Sequence, residues 1–442
     1  MNAILLARIQ FALTVGFHFI FPPISIGLAW LLVVAEGLGW RRNDAVWREV
    51  GRFFGGLLAI TFAVGVASGI VMEFQFGTNW AGYSRFVGDI FGAPLAAEAL
   101  FAFFLESTFL GLYLFGRDRV SKGVHWFSIL MVAVGSTLSA FWILVANSWQ
   151  QTPAGFELRN GRAELTSFFE AVFNPSTLPR FLHTIDASLI AGAFFMAGIA
   201  AALLFKDGEN AVARKALKLA LVFGLVFGGI EVFPSGHYSA QQVAATQPAK
   251  LAACEGLFEG QERAPLTVFG VPGQTELKLA IGLPGALSLL AFNRFDAYVA
   301  GLHDFPEDER PPVFITFTSF HLMVGLGTLF LLMLSWGCFR LWQGRLWTDR
   351  LTLGAFVLAL PLPVVACELG WMCAEVGRQP WIVYKLLRTA DAASEVVSAG
   401  AILFSILLFG AIYLLLGALY VYLIVKMVRR GPGPTSTEGS AA

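Results

Sequence analysis

The sequence predicts an all-α protein that crosses a membrane several times. Hydrophobic residues make up 57% of the 442 residues and charged residues only 14%, and the mean hydropathy is +0.69. Soluble domains rarely have so apolar a composition. The apolar residues also fall into separate runs that are long enough to cross a hydrocarbon layer about 30 Å thick. The formal net charge is zero, which gives no indication of nucleic-acid binding.

Nine runs of this kind are present, and each is expected to form a helix, because a helix satisfies its own backbone hydrogen bonds in lipid. They lie at about 11–36, 53–76, 94–115, 125–147, 183–205, 215–234, 313–339, 352–374 and 398–425. Another apolar stretch, 277–292, is short and interrupted by Gly282, Pro284 and Gly285. We expect it to lie outside the membrane core as an interfacial element.

The distribution of basic residues predicts the orientation. The connecting segments on one side carry 17 Lys and Arg residues, and the short segments on the other side carry 8. The more basic side is expected to be cytoplasmic. Because an odd number of spans places the termini on opposite sides, the N-terminus is predicted to lie outside and the C-terminus in the cytoplasm.

One connection is much longer than the others, and it divides the chain. Residues 1–234 are expected to form helices 1–6, residues 235–312 an extracytoplasmic loop, and residues 313–427 helices 7–9. Loops of this length without regular structure are usually functional or disordered. The polar tail 428–442 is predicted to be disordered.

Polar and ligand-type side chains cluster in the outer leaflet of the predicted bundle. Imidazole, thioether and carboxylate groups can bind haem iron, and polar groups at this depth are costly without partners. An imidazole with a thioether makes a six-coordinate haem for electron transfer, whereas one such ligand alone leaves a position for O₂. Each of these residues taken alone could equally serve packing or hydrogen bonding. Their clustering predicts a membrane redox enzyme. The five residues are His18, Glu98, His183, Met323 and Glu375.

Two carboxylates share the third helix. Glu98 and Glu106 are eight residues apart, which in a regular α-helix places them on one side, about 12 Å apart in depth. The pattern favours a proton relay, and the alternative is a pair of interhelical hydrogen bonds made by neutral carboxyl groups. We assign no role to Glu73, Glu231 and Glu368. The four cysteines show no CxxC or zinc spacing and are expected to act mainly as small hydrophobic residues.

Five segments together resemble subunit I of the cytochrome bd-type quinol oxidases. GRQPW after a glutamate, combined with a helix that carries two glutamates, is highly specific for this family. The resemblance extends from about residue 8 to residue 425. The segments are APLAAEALFAFFLEST (93–108), WILVANSW (142–149), QPAKLAACEG (247–256), FHLMVGLG (320–327) and GWMCAEVGRQPW (370–381).

The resemblance implies three haems. His183 and Met323 match the axial ligands of a low-spin haem b. His18 and Glu375 match the ligands of a high-spin haem b and a haem d, or a further haem b in its place. Which of these two residues serves which haem stays open. Trp371 and Arg378 match residues of the haem environment, and a guanidinium suits haem propionates.

The same resemblance implies roles for two further pairs. Glu98 and Glu106 match proton-path carboxylates, and Lys250 and Glu255 match residues associated with quinol oxidation. The chain departs from many members at His321, where they have Arg two residues before the axial Met. A titratable imidazole there is expected to lower the potential of the low-spin haem or to make it pH-dependent. The short loop resembles that of short-loop or cyanide-insensitive members.

The activity implied is a quinol:O₂ oxidoreductase of the bacterial cytoplasmic (inner) membrane. Quinol would be oxidised at the outer face, and O₂ would be reduced to water with cytoplasmic protons that reach the haems through Glu106 and Glu98. Proton motive force would arise without a proton pump. The implied partners are membrane quinone, a second subunit of similar size and a small single-helix subunit.

Three other functions are compatible with parts of the pattern. A proton-coupled transporter would use Glu98 and Glu106, but no internal repeat is apparent and the ligands do not lie at the midplane. A non-catalytic haem subunit would bind a six-coordinate haem and would not bind CO. A structural scaffold leaves the ligand cluster unexplained.

Overall fold

The computed structural model describes residues 2–433, and helices dominate this part of the chain. Within it, nine helical segments are long and apolar enough to span a membrane, which confirms the predicted fold class. Several extend beyond the hydrophobic runs, because polar residues continue the helices. Spans 1 to 9 are Ala3–Arg41, Ala45–Thr78, Ala81–Phe115, Lys122–Gln151, Thr177–Lys206, Ala211–Thr246, Val313–Trp342, Arg350–Val376 and Ala399–Arg430.

Prolines divide two of the spans. Span 1 consists of the α-helices Ala3–Phe19 and Phe21–Arg41, and prolines occupy the first turn of the second helix. Span 8 consists of Arg350–Ala359 and Leu362–Val376, with Pro361 before the second helix. Proline has no N–H to donate to the preceding turn but fits the first turn of a new helix. His18 lies in the turn before the first of these breaks.

Two other spans contain a π-helical turn. In span 3, Glu98–Phe103 is π-helical, four residues after Pro94. In span 6, Glu231–Ser235 is π-helical and includes Pro234. The spacing of Glu98 and Glu106 was predicted from a regular α-helix, so the estimated depth between them does not apply. Each π-turn begins at a glutamate, and such turns are frequent at functional sites.

Span 5 forms the centre of the bundle. In an apolar 18-residue stretch of span 5, 89% of the residues are buried, whereas only 11% are buried in the corresponding stretch of span 9. Span 5 packs against spans 1, 6 and 8. Its Gly192 meets Gly27 of span 1, where an added Cβ would lie 2.2 Å from the carbonyl oxygen of Ser188. Small residues therefore allow the two backbones to touch, as at many membrane helix interfaces.

The connection between spans 6 and 7 contains regular secondary structure, and it begins later in the chain than predicted. Span 6 continues as a helix to Thr246, because its polar end GHYSAQQVAAT still forms helical hydrogen bonds although hydropathy marks the end of the run. The stretch 277–292 becomes the strand Leu277–Leu283 and the helix Ala286–Phe292. The connection contains the helices Pro248–Glu255 and Ala286–Phe292 and the strands Gln261–Glu262, Leu266–Pro272, Leu277–Leu283 and Tyr298–Val299.

The strands pair only as small antiparallel ribbons. Within the connection, Leu266–Pro272 pairs with Leu277–Leu283, and Gln261–Glu262 pairs with Tyr298–Val299. The other two ribbons are Phe156–Arg159 with Arg162–Leu165 and Trp381–Val383 with Leu387–Arg388. At the C-terminus, span 9 continues to Arg430, so the predicted tail begins within a helix. Residues 434–442 of that tail lie outside the described residues.

Candidate functional site

The carboxylate of Glu375 lies in a dense hydrogen-bond network at the end of span 8. Its Oε1 accepts from Asn147 Nδ2 at 3.1 Å and from Gln151 Nε2 at 3.3 Å. Its Oε2 pairs with Arg378, one turn further along the chain. All three partners are donors, so the network stabilises the ionised carboxylate. Glu375 was predicted to be buried, but its side chain is 19% exposed.

Two cations reach Glu375 through amides of span 4. Arg180 donates to the backbone oxygen of Asn147 at 3.2 Å and also to its Oδ1. Lys250 Nζ donates to Gln151 Oε1 at 2.6 Å. Because Arg and Lys can only donate, each amide turns its oxygen to the cation and its NH₂ group to Glu375.

Arg378 has an unused donor. Its side chain is 3% exposed, its Nε donates to the backbone oxygen of Trp381, and its buried Nη1 has no partner. Near this guanidinium lie Arg180 and Lys250, with Glu375 as the paired anion. The unpaired donor and the excess of positive charge fit an anionic group such as a haem propionate. Trp371, also predicted to lie beside a haem, is half-buried on span 8.

His18 has one ring nitrogen free for a metal. Its Nδ1 lies 3.1 Å from Ser68 Oγ, and that hydroxyl is within 2.9 Å of the backbone oxygens of Val64 and Gly65. Since the single hydroxyl proton goes to a backbone oxygen, Ser68 accepts from Nδ1–H. Nε2 then keeps a lone pair for a metal. Gly69 lies against the ring, where a Cβ would come within 3.1 Å of it.

His183 has a carboxylate beside its imidazole ring. Its Nδ1 lies 2.8 Å from Glu231 Oε1, and Glu231 Oε2 accepts from Ser235 at 2.8 Å. Glu231 begins the π-turn of span 6, which aims it at span 5. Carboxylates commonly orient metal-binding histidines in this manner. His183 is 29% exposed, so it is not fully buried as predicted.

Span 8 also approaches the other ligand helices. Gly370 faces Met323 of span 7, and a Cβ on it would lie 2.8 Å from the thioether sulfur. Glu368 faces span 1 at Gly16, half a turn before His18, and its Oε1 is buried without a partner. Met323 and His18 are both half-buried, unlike the buried residues predicted.

These four ligand candidates fit haem iron better than a bare metal ion. Each comes from a different span, and His18 and His183 present a free Nε2 beside a second residue that orients the ring. Over residues 2–433, no group of three or more His, Cys, Asp and Glu side chains could hold a metal ion. A haem needs at most two axial ligands from the protein. The unpaired Arg378 nitrogen agrees with this assignment, because a haem carries anionic propionates.

The two glutamates of span 3 both face span 4. Glu98 Oε1 accepts from Ser139 at 2.7 Å, and Glu106 Oε1 accepts from Ser136 at 2.5 Å. Gly135 allows the close approach, since a Cβ there would lie 3.1 Å from Glu106 Cβ. Glu106 is buried and Glu98 half-buried. Hydroxyl groups both donate and accept, so this seam can pass protons.

Lys250 and Glu255 lie on one short, buried helix, Pro248–Glu255. Proline at its first turn and Gly256 at φ 64° beyond its end set its limits. Burial and the charges of Arg180 and Arg378 lower the pKa of Lys250 to about 7. Burial raises the pKa of Glu255 to about 7, although the Thr267 N–H, 3.0 Å from its carboxylate, opposes this shift.

His321 links this region to span 7. Its Nε2 lies 3.0 Å from the backbone oxygen of Thr267, and its Nδ1 lies 3.0 Å from that of Phe317. The ring also stacks on Phe317, with 3.9 Å between centroids. Backbone oxygens only accept, so both hydrogen bonds form together only when both ring nitrogens carry protons.

Two free cysteines are in contact between the helix Pro248–Glu255 and span 8. The sulfurs of Cys254 and Cys373 are 3.4 Å apart, and both residues are buried. Cys254 lies one turn after Lys250, and Cys373 lies two residues before Glu375. The helix that carries Lys250 therefore touches the helix that carries Glu375 at this point.

Sequence reasoning missed the residues that hold the site together. Asn147 belongs to the WILVANSW segment, so a signal for it was present, but no role was assigned. Gln151 lies two residues beyond that segment. Glu231 was noted only as a carboxylate with apolar neighbours. The serines of span 4 gave no signal, because serine is common in helices that pack together.

Comparisons with known proteins identify the family to which this chain belongs. The sequence pattern described as cytochrome bd terminal oxidase subunit I matches residues 6–432. The chain is 42% identical to cytochrome bd ubiquinol oxidase subunit 1 of Bacillus subtilis (strain 168), over 98% of this chain and 94% of that protein. It is 37% identical to cytochrome bd-II ubiquinol oxidase subunit 1 of Escherichia coli (strain K12), over 98% of each.

A solved structure is also similar. The bd oxidase from Geobacillus thermodenitrificans superposes with a TM-score of 0.91 at 35% identity, covering 98% of this chain and 99% of that one. Similarity in sequence and in structure therefore extends over almost the whole chain. The chain belongs to the cytochrome bd terminal oxidase subunit I family.

Proposed function

We propose that this chain is the haem-containing catalytic subunit of a terminal quinol oxidase in the bacterial cytoplasmic membrane. Family membership supports quinol oxidation coupled to the reduction of O₂. The observation that carries the proposal is the network around Glu375, which places a ligand-type carboxylate, an unpaired arginine nitrogen and Lys250 together.

His183 and Met323 would hold a low-spin haem b, with Glu231 orienting the imidazole. His18 and Glu375 would hold the two other haems, a high-spin haem b and either haem d or a further haem b. Bound haem would supply electron transfer and the site of O₂ reduction. Around it, Arg378 would bind a propionate through its free Nη1, and Trp371 would pack nearby.

Quinol oxidation is assigned to the connection between spans 6 and 7. Glu255 would accept a proton from the quinol hydroxyl, and Lys250 would hold the oxygen by donating a hydrogen bond. Both side chains are buried, so water competes little for them. The basic side of the bundle is taken as cytoplasmic, which places this region on the outer face and the released protons outside.

Protons for the reduction of O₂ would be taken up from the cytoplasm. Glu106 with Ser136 and Glu98 with Ser139 would carry them along the seam between spans 3 and 4. Electrons and protons would then enter from opposite sides, so charge crosses the membrane without a proton pump. Each elementary charge moved stores about 2.3 kcal/mol per 100 mV.

The complete oxidase would contain a second subunit of similar size, as the family implies, and a small single-helix subunit. Membrane quinone is the other partner. The proposed domains are helices 1–6 with His18, Glu98, Glu106 and His183, the quinol region, and helices 7–9 with Met323 and Glu375.

A spectrum of the purified complex tests the proposal. We expect reduced-minus-oxidised bands of low- and high-spin haems, with CO shifting only the high-spin part. The complex should consume O₂ with quinol as donor, and a His183→Leu variant should lose the low-spin bands alone. Folded protein without haem would refute the oxidase assignment and leave Glu98 and Glu106 to a transporter.

A further inference from the structure

We propose that Gln151 is a positioning residue that couples the quinol-oxidising Lys250 to the haem-ligand candidate Glu375. The inference rests on the proposed function and extends it to a residue without an assigned role. Gln151 is the last residue of span 4. Its side chain donates to Glu375 at 3.3 Å and accepts from Lys250 at 2.6 Å.

The chemistry of the partners determines the direction of this bridge. A lysine amine donates to an amide oxygen, whereas a carboxylate accepts from an amide NH₂ group. Gln151 satisfies both at once, and its Nε2 also lies 3.4 Å from the backbone oxygen of Ala374. If the amide were reversed, the hydrogen bonds to Lys250 and to Glu375 would both be lost.

Burial makes the bridge difficult to replace. Gln151 is 3% exposed and Lys250 is 5% exposed. A buried donor or acceptor that loses its partner costs more than an exposed one, because water cannot take the partner's place. Gln247 is the residue before the helix that carries Lys250, and its side chain also donates to the backbone oxygen of Gln151 at 2.8 Å. The quinol region is thus anchored on Gln151 at two points.

A neighbouring bridge shows what is particular to Gln151. One turn earlier, Asn147 connects Arg180 to Glu375 in the same manner. Arg180 belongs to span 5, so that bridge joins two spans of the bundle. The Gln151 bridge instead joins Glu375 to the connection between spans 6 and 7. A change in the position of Lys250 is therefore transmitted to the donors around Glu375.

Two substitutions separate the two arms of the bridge. Gln151→Leu removes both, and we expect KM for quinol to rise about tenfold, as for a lost charge-assisted hydrogen bond. The spectrum of the CO-binding haems should shift as well. Gln151→Glu keeps an acceptor for Lys250 but places a second carboxylate against Glu375. It should leave KM within about threefold of the wild type and shift the haem spectrum at least as far.

Gln247→Leu is the matched control. It removes the hydrogen bond to the backbone of Gln151 but leaves the side-chain bridge, so it should lower stability without moving the haem spectrum. The proposal is overturned if Gln151→Leu leaves both KM and spectrum unchanged. It is also overturned if Gln247→Leu reproduces the spectral shift, or if Gln151→Glu changes KM without changing the spectrum.

Amine labelling of Lys250, read by mass spectrometry, tests one arm without haem or turnover. Gln151→Leu should raise the labelling of Lys250 several-fold over the wild type, whereas Gln151→Glu should not. Unchanged labelling in Gln151→Leu would overturn the link to Lys250. A wild-type complex without haem would refute the proposed function instead, and the labelling result would still stand.

Discussion

Two regions of this protein place carboxylates in an apolar bundle by different means. Glu375 receives hydrogen bonds from two amides and pairs with Arg378, and its amide partners are themselves bound to Arg180 and Lys250. Glu106 and Glu98 each receive a hydrogen bond from one serine of span 4. The first environment is rich in cations and donors, and the second is neutral.

The difference indicates what each carboxylate can do. Donors and cations hold Glu375 ionised and fixed in orientation, which suits a metal ligand. A serine hydroxyl stabilises a carboxyl in either protonation state, because it donates to the charged form and accepts from the neutral one. A carboxyl that gains and loses a proton in turn needs such a partner. The same residue type therefore suits the proposed ligation in one region and the proposed proton relay in the other.

The largest effect is expected for Glu375→Gln. The amide keeps the size of the side chain but loses the charge, and it leaves Arg378 buried without its anion. A buried cation without its anion is costly, and the proposed ligand loses its charge. Turnover should therefore fall by more than about a hundredfold, and part of the high-spin haem signal should be lost. Glu157→Gln, at an exposed ion pair with Arg159, serves as the control. A normal spectrum in Glu375→Gln would end its assignment as a ligand.

Glu106→Gln should have a smaller effect of another kind. The haem spectrum should stay that of the wild type, while O₂ consumption falls by about a hundredfold, as expected for the loss of a proton-transfer group. Ser136→Ala removes one hydrogen bond and should slow turnover by about tenfold or less. Oxygen uptake and optical spectra of the same preparations distinguish the two regions. Loss of haem in Glu106→Gln would contradict the division between them.

Glu255 sharpens the comparison, because it follows Cys254, which contacts the helix of Glu375, but has surroundings like those of Glu106. Its carboxylate receives one backbone N–H and no cation, and burial raises its pKa to about 7. As a base it is competent only when deprotonated, so quinol oxidation should rise with pH up to about 7. Lys250, with its pKa lowered to about 7 by burial and nearby arginines, loses its charge above that pH. The rate should therefore peak near pH 7.

The acid and alkaline limbs of the pH–rate profile identify the two titrating groups. Each limb should change the rate by about tenfold per pH unit away from the peak. In Glu255→Gln the acid limb should disappear, and in Lys250→Gln the alkaline limb should disappear, whatever the remaining rate. A profile with both limbs intact in these variants would assign the titrations to other groups.

Much of the fold could be predicted from the sequence, and some local features could not. Hydropathy located nine spans, since transfer from water to lipid depends mainly on composition over about 20 residues. It did not locate the end of span 6, because the last turns, up to Thr246, are polar and still helical. It also did not predict the π-turns that begin at Glu98 and Glu231.

The sequence by itself determined the membrane class, the nine spans, the family and the identity of the ligand-type residues, because composition and short motifs are local properties. Only the tertiary structure decided what those residues contact. Asn147 and Glu375 are 228 residues apart in the chain, and Lys250 and Gln151 are 99 apart. Whether a buried carboxylate is held as an anion or exchanges a proton depends on such distant partners, since hydrogen bonds form between atoms that are close in space.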